Sequence, residues 1–180
     1  MLYSYDDCLK QFGNHYQIEK EISLENIYKI QPGVYSDKKR VSELEVLTFK
    51  YPYAVFTMDS AFYYHSLSDV VPNKYYLATS KDAYKIPLDR VKQYYQRSKM
   101  FEVGISSMQW QGVKINVYDQ ERMLIELIRY RKSFPFDYYK EVINNYRKRI
   151  NQLDIEKLQK YILMFQKKDR IFDIIQLEVF

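Results

Sequence analysis

One predicted helix and one predicted hairpin near the start of the chain carry polar and basic side chains of the types that contact DNA. The candidate DNA-binding residues are Tyr16, Gln17, Lys20, Lys29, Lys38, Lys39 and Arg40. Residues on the helix could face a groove, and lysines on and after the hairpin could hold phosphates. Glu19, Glu21 and Glu25 lie in the same segment, and carboxylates repel the phosphate backbone. DNA binding and a packing role for this segment both stay open.

A second set of basic residues lies in the last third of the chain. Its members are Arg122, Arg129, Arg131, Lys132, Arg147, Lys148 and Arg149. They predict a second basic surface for DNA, RNA or an acidic partner. Basic residues near helix C-termini also stabilise the helix dipole, which is the stronger interpretation for Arg131 and for residues 147–149.

The residue types that carry enzyme chemistry are sparse. His15 and His65 are the only histidines, and no cysteine or carboxylate stands at a metal-ligand spacing from either. Cys8 lies on the apolar stripe of a predicted helix, where a small apolar residue fits. Four glycines are too few for a phosphate-binding loop. We therefore expect no catalytic residue, no metal, no cofactor and no enzymatic activity.

Composition predicts a folded protein with an uneven charge. The 180 residues are 47% hydrophobic and 17% aromatic, which argues against disorder. The net charge of +5 divides into −2 over residues 1–60 and +7 over residues 61–180. A single cysteine, no leader-like N-terminus and no apolar run near about 18 residues predict a cytoplasmic protein without a membrane span.

The elements expected to position the first basic set lie within residues 1–50. Ser4 predicts a helix start and Gly13-Asn14 its end, a second helix is expected from His15 to Ile22, and Ser42 with Glu45 has capping-box spacing. Pro32-Gly33 predicts the turn of a two-stranded wing. The segment has the pattern of a winged helix-turn-helix module, truncated because only about thirteen residues separate Gly13 from the wing.

Residues 51–180 predict a mixed domain that ends in helices. Strands are expected at 54–57 and 74–79, a brief helix at 89–96, and a hairpin around Gln111-Gly112. Asp119, Asp137 and Asp154 are expected to cap three helices. The predicted class is α+β, with a small N-terminal winged-helix module followed by a mixed α/β domain ending in a helical bundle.

Taken in order, several segments resemble the AbiEi family of antitoxins from bacterial abortive-infection, type IV toxin–antitoxin systems. The resemblance covers nearly the whole chain and depends on the succession of segments. These segments are residues 30–35 (IQPGVY), 60–69 (SAFYYHSLSD), 71–74 (VPNK), 77–80 (LATS), 121–127 (ERMLIEL) and 153–161 (LDIEKLQKY).

The resemblance implies a role in phage defence. Residues 1–50 would form a winged module that represses the protein's own operon by binding operator DNA. Residues 51–180 would form the antitoxin domain that counters a cognate nucleotidyltransferase-like toxin, with or without direct contact. The alternative, motivated by the acidic helix, is a protein-interaction module with a winged-helix fold that does not bind DNA.

Overall fold

The computed structural model describes residues 1–180 and divides them into two compact units, Met1–Pro52 and Tyr53–Phe180. Helices and mixed sheets alternate along the chain, which confirms the general α+β class. None of the helices combines the length and the apolar composition that crossing a membrane requires.

The first unit is a three-stranded antiparallel sheet with helices. Its elements are β1 (Leu2–Ser4), α1 (Tyr5–Phe12), α2 (His15–Ser23), β2 (Tyr28–Gln31), β3 (Val34–Ser36) and α3 (Glu43–Lys50). Strand β3 lies in the middle, and the order across the sheet is β1-β3-β2. Pro32 and Gly33 connect β2 to β3, and Gly33 adopts a φ of 74°. A proline followed by a residue with positive φ is typical of a tight type II turn.

The helix boundaries of the first unit follow from local hydrogen bonds, as the sequence predicts. The Ser4 hydroxyl accepts from the Asp7 amide at 3.1 Å and caps α1, and Gly13 ends that helix with a φ of 91°. The Asn14 side chain caps α2, accepting from the Gln17 amide at 3.0 Å. Ser42 and Glu45 form the predicted capping box of α3.

A small core holds the first unit together. It contains Cys8 from α1, Ile18 from α2, Ile27 just before β2 and Tyr35 from β3, all buried. Further apolar side chains pack around these four; they are Tyr3, Tyr5, Leu9, Phe12 and Ile22. Burial of Cys8 confirms its prediction as a small apolar residue on a helix stripe.

The second unit contains a five-stranded mixed sheet. Its strands are β4 (Val55–Phe56), β5 (Tyr75–Ser80), β6 (Val91–Gln96), β7 (Ile105–Trp110) and β8 (Val113–Tyr118), in the order β6-β5-β4-β8-β7. The pairs β5–β6 and β4–β8 are parallel, and the pairs β4–β5 and β7–β8 are antiparallel. The predicted hairpin around Gln111-Gly112 is confirmed as β7–β8.

The helix predicted at residues 89–96 is wrong, because residues 91–96 form the edge strand β6. Its six residues pair in parallel with β5, from Tyr75 opposite Val91 to Ser80 opposite Gln96. Val91, Tyr94 and Tyr95 are residue types that favour strands. Pairing with β5 decided the conformation, in agreement with these strand-favouring residue types.

Six helices complete the second unit. They are α4 (Met58–Tyr64), α5 (Ser98–Phe101), α6 (Gln120–Arg129), α7 (Phe136–Lys148), α8 (Ile155–Met164) and α9 (Lys168–Glu178). Helix α6 is the most enclosed of them, since every side chain from residue 121 to residue 128 is buried, and it contacts α4, α8 and α9. Asp119 and Asp154 cap α6 and α8 as predicted. Asp137 does not cap α7, because that helix begins earlier, at Phe136 after Pro135.

Candidate functional site

The structure exposes most of the candidate DNA-binding residues. On α2, Tyr16 is 74% exposed and Lys20 is exposed, Gln17 is half-buried, and Ile18 points into the core. Lys29 is exposed on β2. The loop after β3 carries three further exposed cations, which are Lys38, Lys39 and Arg40.

Acidic residues stand on the same helix as the candidate contacts. Glu19 is exposed on α2, and its carboxylate lies 3.9 Å from the His15 ring. Glu21 is held differently, because its carboxylate accepts a 2.7 Å hydrogen bond from Asn26. The exposed surface of α2 is therefore mixed in charge, whereas residues 38–40 are three consecutive exposed cations.

Arg122 was predicted to belong to the second basic surface, and this prediction is wrong. Its side chain has no exposed area, and a guanidinium nitrogen lies 2.7 Å from a Glu126 carboxylate oxygen. The guanidinium also donates to the Met100 carbonyl at 2.9 Å and stacks 4.6 Å from the Phe165 ring. Arg122 is therefore a buried cation paired with Glu126, and a side chain without exposed area cannot form part of a basic surface.

Arg147 and Arg149 bind the backbone of their own unit. The guanidinium of Arg149 donates to the carbonyls of His65 and Ser66, both at 2.7 Å. The Arg147 side chain donates to the Glu178 carbonyl near the C-terminus. Carbonyl groups at turns and helix ends attract such donors, in agreement with a structural role for residues 147–149. Lys148 between them is exposed and weakly bonded to Asn145 at 3.4 Å.

The remaining three members of the second set line a cleft of about 1060 Å³, which the sequence did not predict. We call it the basic cleft because eight cationic residues line it and no aspartate or glutamate does. These residues are Lys81, Arg97, Lys99, Arg129, Arg131, Lys132, Lys167 and Arg170. Residues 129, 131 and 132 belonged to the predicted surface, and the other five did not.

Four separate segments of the second unit form the basic cleft. Two of them are the residue after β5, and the end of β6 with helix α5. The other two are the C-terminal end of α6 with the short turn after it, and the connection between α8 and α9 with the first turns of α9. Each segment contributes at least one cation, and the segments lie up to ninety residues apart in the chain. Their convergence therefore depends on the tertiary structure.

Only part of the positive charge in the basic cleft is balanced by carboxylates. Arg129 pairs with Glu126 at 2.8 Å, and Arg131 lies 3.7 Å from Glu178. Lys81 has the exposed Asp82 at 3.8 Å. The other five cations, which make no ion pair, are Arg97, Lys99, Lys132, Lys167 and Arg170. The cleft therefore presents an excess of positive charge to solvent.

Aromatic rings lie beside these cations. Tyr95, which is 49% exposed, and Tyr130 line the basic cleft. The Tyr130 ring packs edge-on against Tyr94, with ring centroids 6.3 Å apart. Tyr94 in turn stacks on Tyr76 at 6.3 Å, and Lys92 lies over both of these rings. Tyr130 thus connects the cleft to a cluster of rings on the other face of β6 from Tyr95, since consecutive side chains of a strand point to opposite faces.

The residues considered for enzyme chemistry are held in structural roles. Cys8 is buried, and burial raises the pKa of its thiol. The His65 ring lies 2.7 Å from the Tyr118 carbonyl through Nε2, and burial lowers its pKa. No group of three or more His, Cys, Asp or Glu side chains is arranged to hold a metal ion.

Comparison with known proteins gives no family for this chain. No protein-family model matches its sequence, and no curated protein matches it either.

Proposed function

We propose that this chain is a non-enzymatic, DNA-binding antitoxin of the AbiEi type. In this proposal residues 1–50 are a winged helix-turn-helix module that binds operator DNA, and the second unit is the antitoxin domain, with α6 to α9 as its helical bundle. The observation that carries the proposal is the order of elements in the first unit, strand, helix, helix, strand, strand, with the last strand central in the sheet.

That order supports a winged helix because it supplies both helices of the motif and a wing. Helices α1 and α2 contact each other and are separated only by Gly13 and Asn14. The sequence predicts a truncated motif with one helix after Gly13; in this proposal α1, before Gly13, is the first helix of the pair. In such motifs the second helix enters the major groove, so α2 is the recognition helix of the proposal.

The exposed residues of the first unit supply contacts of both kinds. Tyr16, Gln17 and Lys20 on α2 would reach base edges, and Lys29 on β2 would hold a phosphate. The three cations at residues 38–40 follow β3 and would contact the backbone beside the wing. Phosphate contacts of this kind fix the position of a protein on the duplex and give affinity that depends on salt.

Host growth tests the antitoxin role. We expect the product of the neighbouring gene to arrest growth when expressed alone, and co-expression of this full chain to relieve the arrest. A harmless neighbour, or arrest that this chain does not relieve, would contradict the antitoxin role and leave DNA binding as a separate question.

Binding to the DNA upstream of the operon tests the first unit. The plot of the logarithm of the binding constant against the logarithm of the salt concentration has a negative slope, whose magnitude should decrease by about 0.9 for each phosphate contact removed. Lys29→Ala should therefore reduce the magnitude of the slope by that amount. Lys50→Ala is the matched control, because Lys50 is an exposed lysine at the end of α3 in the same unit. Equal slopes for both variants would contradict the assigned surface.

A protein-interaction module is the second candidate, and the acidic residues of the first unit favour it. Glu19 is exposed on α2, Glu25 is exposed just after it, and residues 1–60 carry a net charge of −2. In this case charge reversal at residues 38–40 would leave relief of growth arrest intact and no upstream DNA would be bound. Loss of relief in the charge-reversed variant would contradict this candidate.

A further inference from the structure

We propose that the basic cleft of the second unit binds a short segment of single-stranded nucleic acid. The phosphates would lie on the unpaired cations, and bases would stack on the tyrosines beside them. This inference goes beyond the proposed function, because the site lies in the second unit and does not depend on operator binding by the first.

The charge of the cleft is the first argument. Five cations from segments distant in sequence converge on one cleft without a carboxylate partner. Like charges brought together raise the free energy of the empty site, and a bound polyanion removes that repulsion. Such a concentration of uncompensated cations is the electrostatic footprint of a nucleic-acid site.

The helix dipole does not account for all of these cations. It explains Arg129, which ends α6, since a helix C-terminus attracts positive charge. Lys167 and Arg170 lie at the opposite kind of terminus, the beginning of α9, where the dipole disfavours a cation. Lys167 also occupies the N-cap with a φ of 59°, and its ammonium has no acceptor with which to cap the first amides of α9. An anionic ligand would make both positions favourable.

The aromatic rings favour a single strand over a duplex. Single-strand sites combine a cationic groove with aromatic side chains on which unpaired bases stack. Tyr95 and Tyr130 line the cleft and supply such rings. A duplex presents its phosphates but keeps its bases stacked on one another, so it could use the cations and not the tyrosines.

Fluorescence anisotropy with the full chain tests the proposal. The probes are labelled twelve-nucleotide oligo(U) and oligo(dT), with an unlabelled duplex of the same length and uridine monophosphate as competitors. The cleft variant combines R97A, K99A, K132A and R170A. The control variant removes the same charge outside the cleft, from four exposed lysines of the same unit, as K74A, K85A, K114A and K160A.

Binding of the wild type should be steeply dependent on salt. Four phosphate contacts give a slope of about −2.8, so affinity should fall about 50-fold between 50 and 200 mM salt. The cleft variant should lose most of that slope, and the control variant should keep it. Tighter binding of either oligo(U) or oligo(dT) supports the proposal.

A second pair of variants tests whether bases stack on the cleft tyrosines. Y95A should weaken oligonucleotide binding by a factor of about 5 or more, the loss typical of one stacked base. Y84A removes a tyrosine that is 91% exposed and does not line the cleft, and it should have no effect.

Four results would overturn the proposal. They are no binding at 50 mM salt, equal loss in the cleft and control variants, tighter binding of the duplex than of either single strand, and equally tight binding of the mononucleotide. A variant of the first unit, with alanine at residues 38–40, separates the two proposals. It should abolish binding to upstream DNA and leave oligonucleotide binding unchanged, and loss of oligonucleotide binding in it would count against the cleft.

Discussion

Replacing Arg122 with methionine should destabilise the second unit strongly, although the residue was first predicted to belong to a surface. The change removes the ion pair with Glu126 at 2.7 Å and the donors to the carbonyls of Met100 at 2.9 Å and Val103 at 3.4 Å. All of these groups lie in the interior, where a carboxylate without its partner is costly.

The size of the loss follows from what remains around Glu126. Removing one partner of a buried ion pair costs about 3–5 kcal/mol. Arg129 still pairs with Glu126 at 2.8 Å, so we place the loss for Arg122→Met at the lower end, about 3 kcal/mol. With a urea m-value of about 2 kcal/mol/M, the midpoint of unfolding should fall by about 1.5 M.

Tryptophan fluorescence provides the assay. Trp110 is the single tryptophan of the chain and packs against Tyr63 and Tyr64 in the second unit, so its emission follows the unfolding of that unit. Arg170→Met is the matched control, because Arg170 is exposed on α9 and makes no ion pair. Its free energy of unfolding should stay within about 0.5 kcal/mol of the wild type.

A double variant separates the ion pair from simple packing. Arg122→Met combined with Glu126→Leu replaces the buried pair with apolar side chains, and it should be more stable than Arg122→Met alone. A loss below about 1 kcal/mol for Arg122→Met, or no recovery in the double variant, would refute the argument from buried charge.

Two further predictions concern the same unit and the same assay. Gly104→Ala should lower the free energy of unfolding by at least about 2 kcal/mol, because a Cβ there would lie 2.5 Å from the Arg122 Cβ at a φ of 81°. Gly112→Ala is the control, because Gly112 has the same φ and open space around it, and it should lower the free energy of unfolding by about 1 kcal/mol. Equal losses would contradict the steric argument. Burial lowers the pKa of His65 below 6.5, so the unfolded chain binds the proton more tightly and stability should fall as the pH drops below about 6.5. His65→Gln should flatten that fall, His15→Gln in the first unit should not, and an unchanged slope in His65→Gln would contradict the burial argument.

Much of the local structure could be predicted because it depends on neighbours in the chain. Ser4, Gly13 and Ser42 fix helix ends through hydrogen bonds or dihedral angles within a few residues. The hairpin turn at Pro32-Gly33 is equally local. Strand β6 could not be predicted in this way, since its conformation depends on pairing with β5.

For the charged residues, too, some properties could be predicted from the sequence and others depend on the tertiary structure. The sequence alone determined the α+β class, the number of positive charges and their concentration in residues 61–180. Only the tertiary structure decided which cations reach solvent. Arg122 and Lys132 are both basic residues in or near α6, but Arg122 is buried against Glu126 and Lys132 is exposed in the basic cleft. Burial and convergence are properties of packing between distant segments, and the spacing of charges along the chain does not encode them.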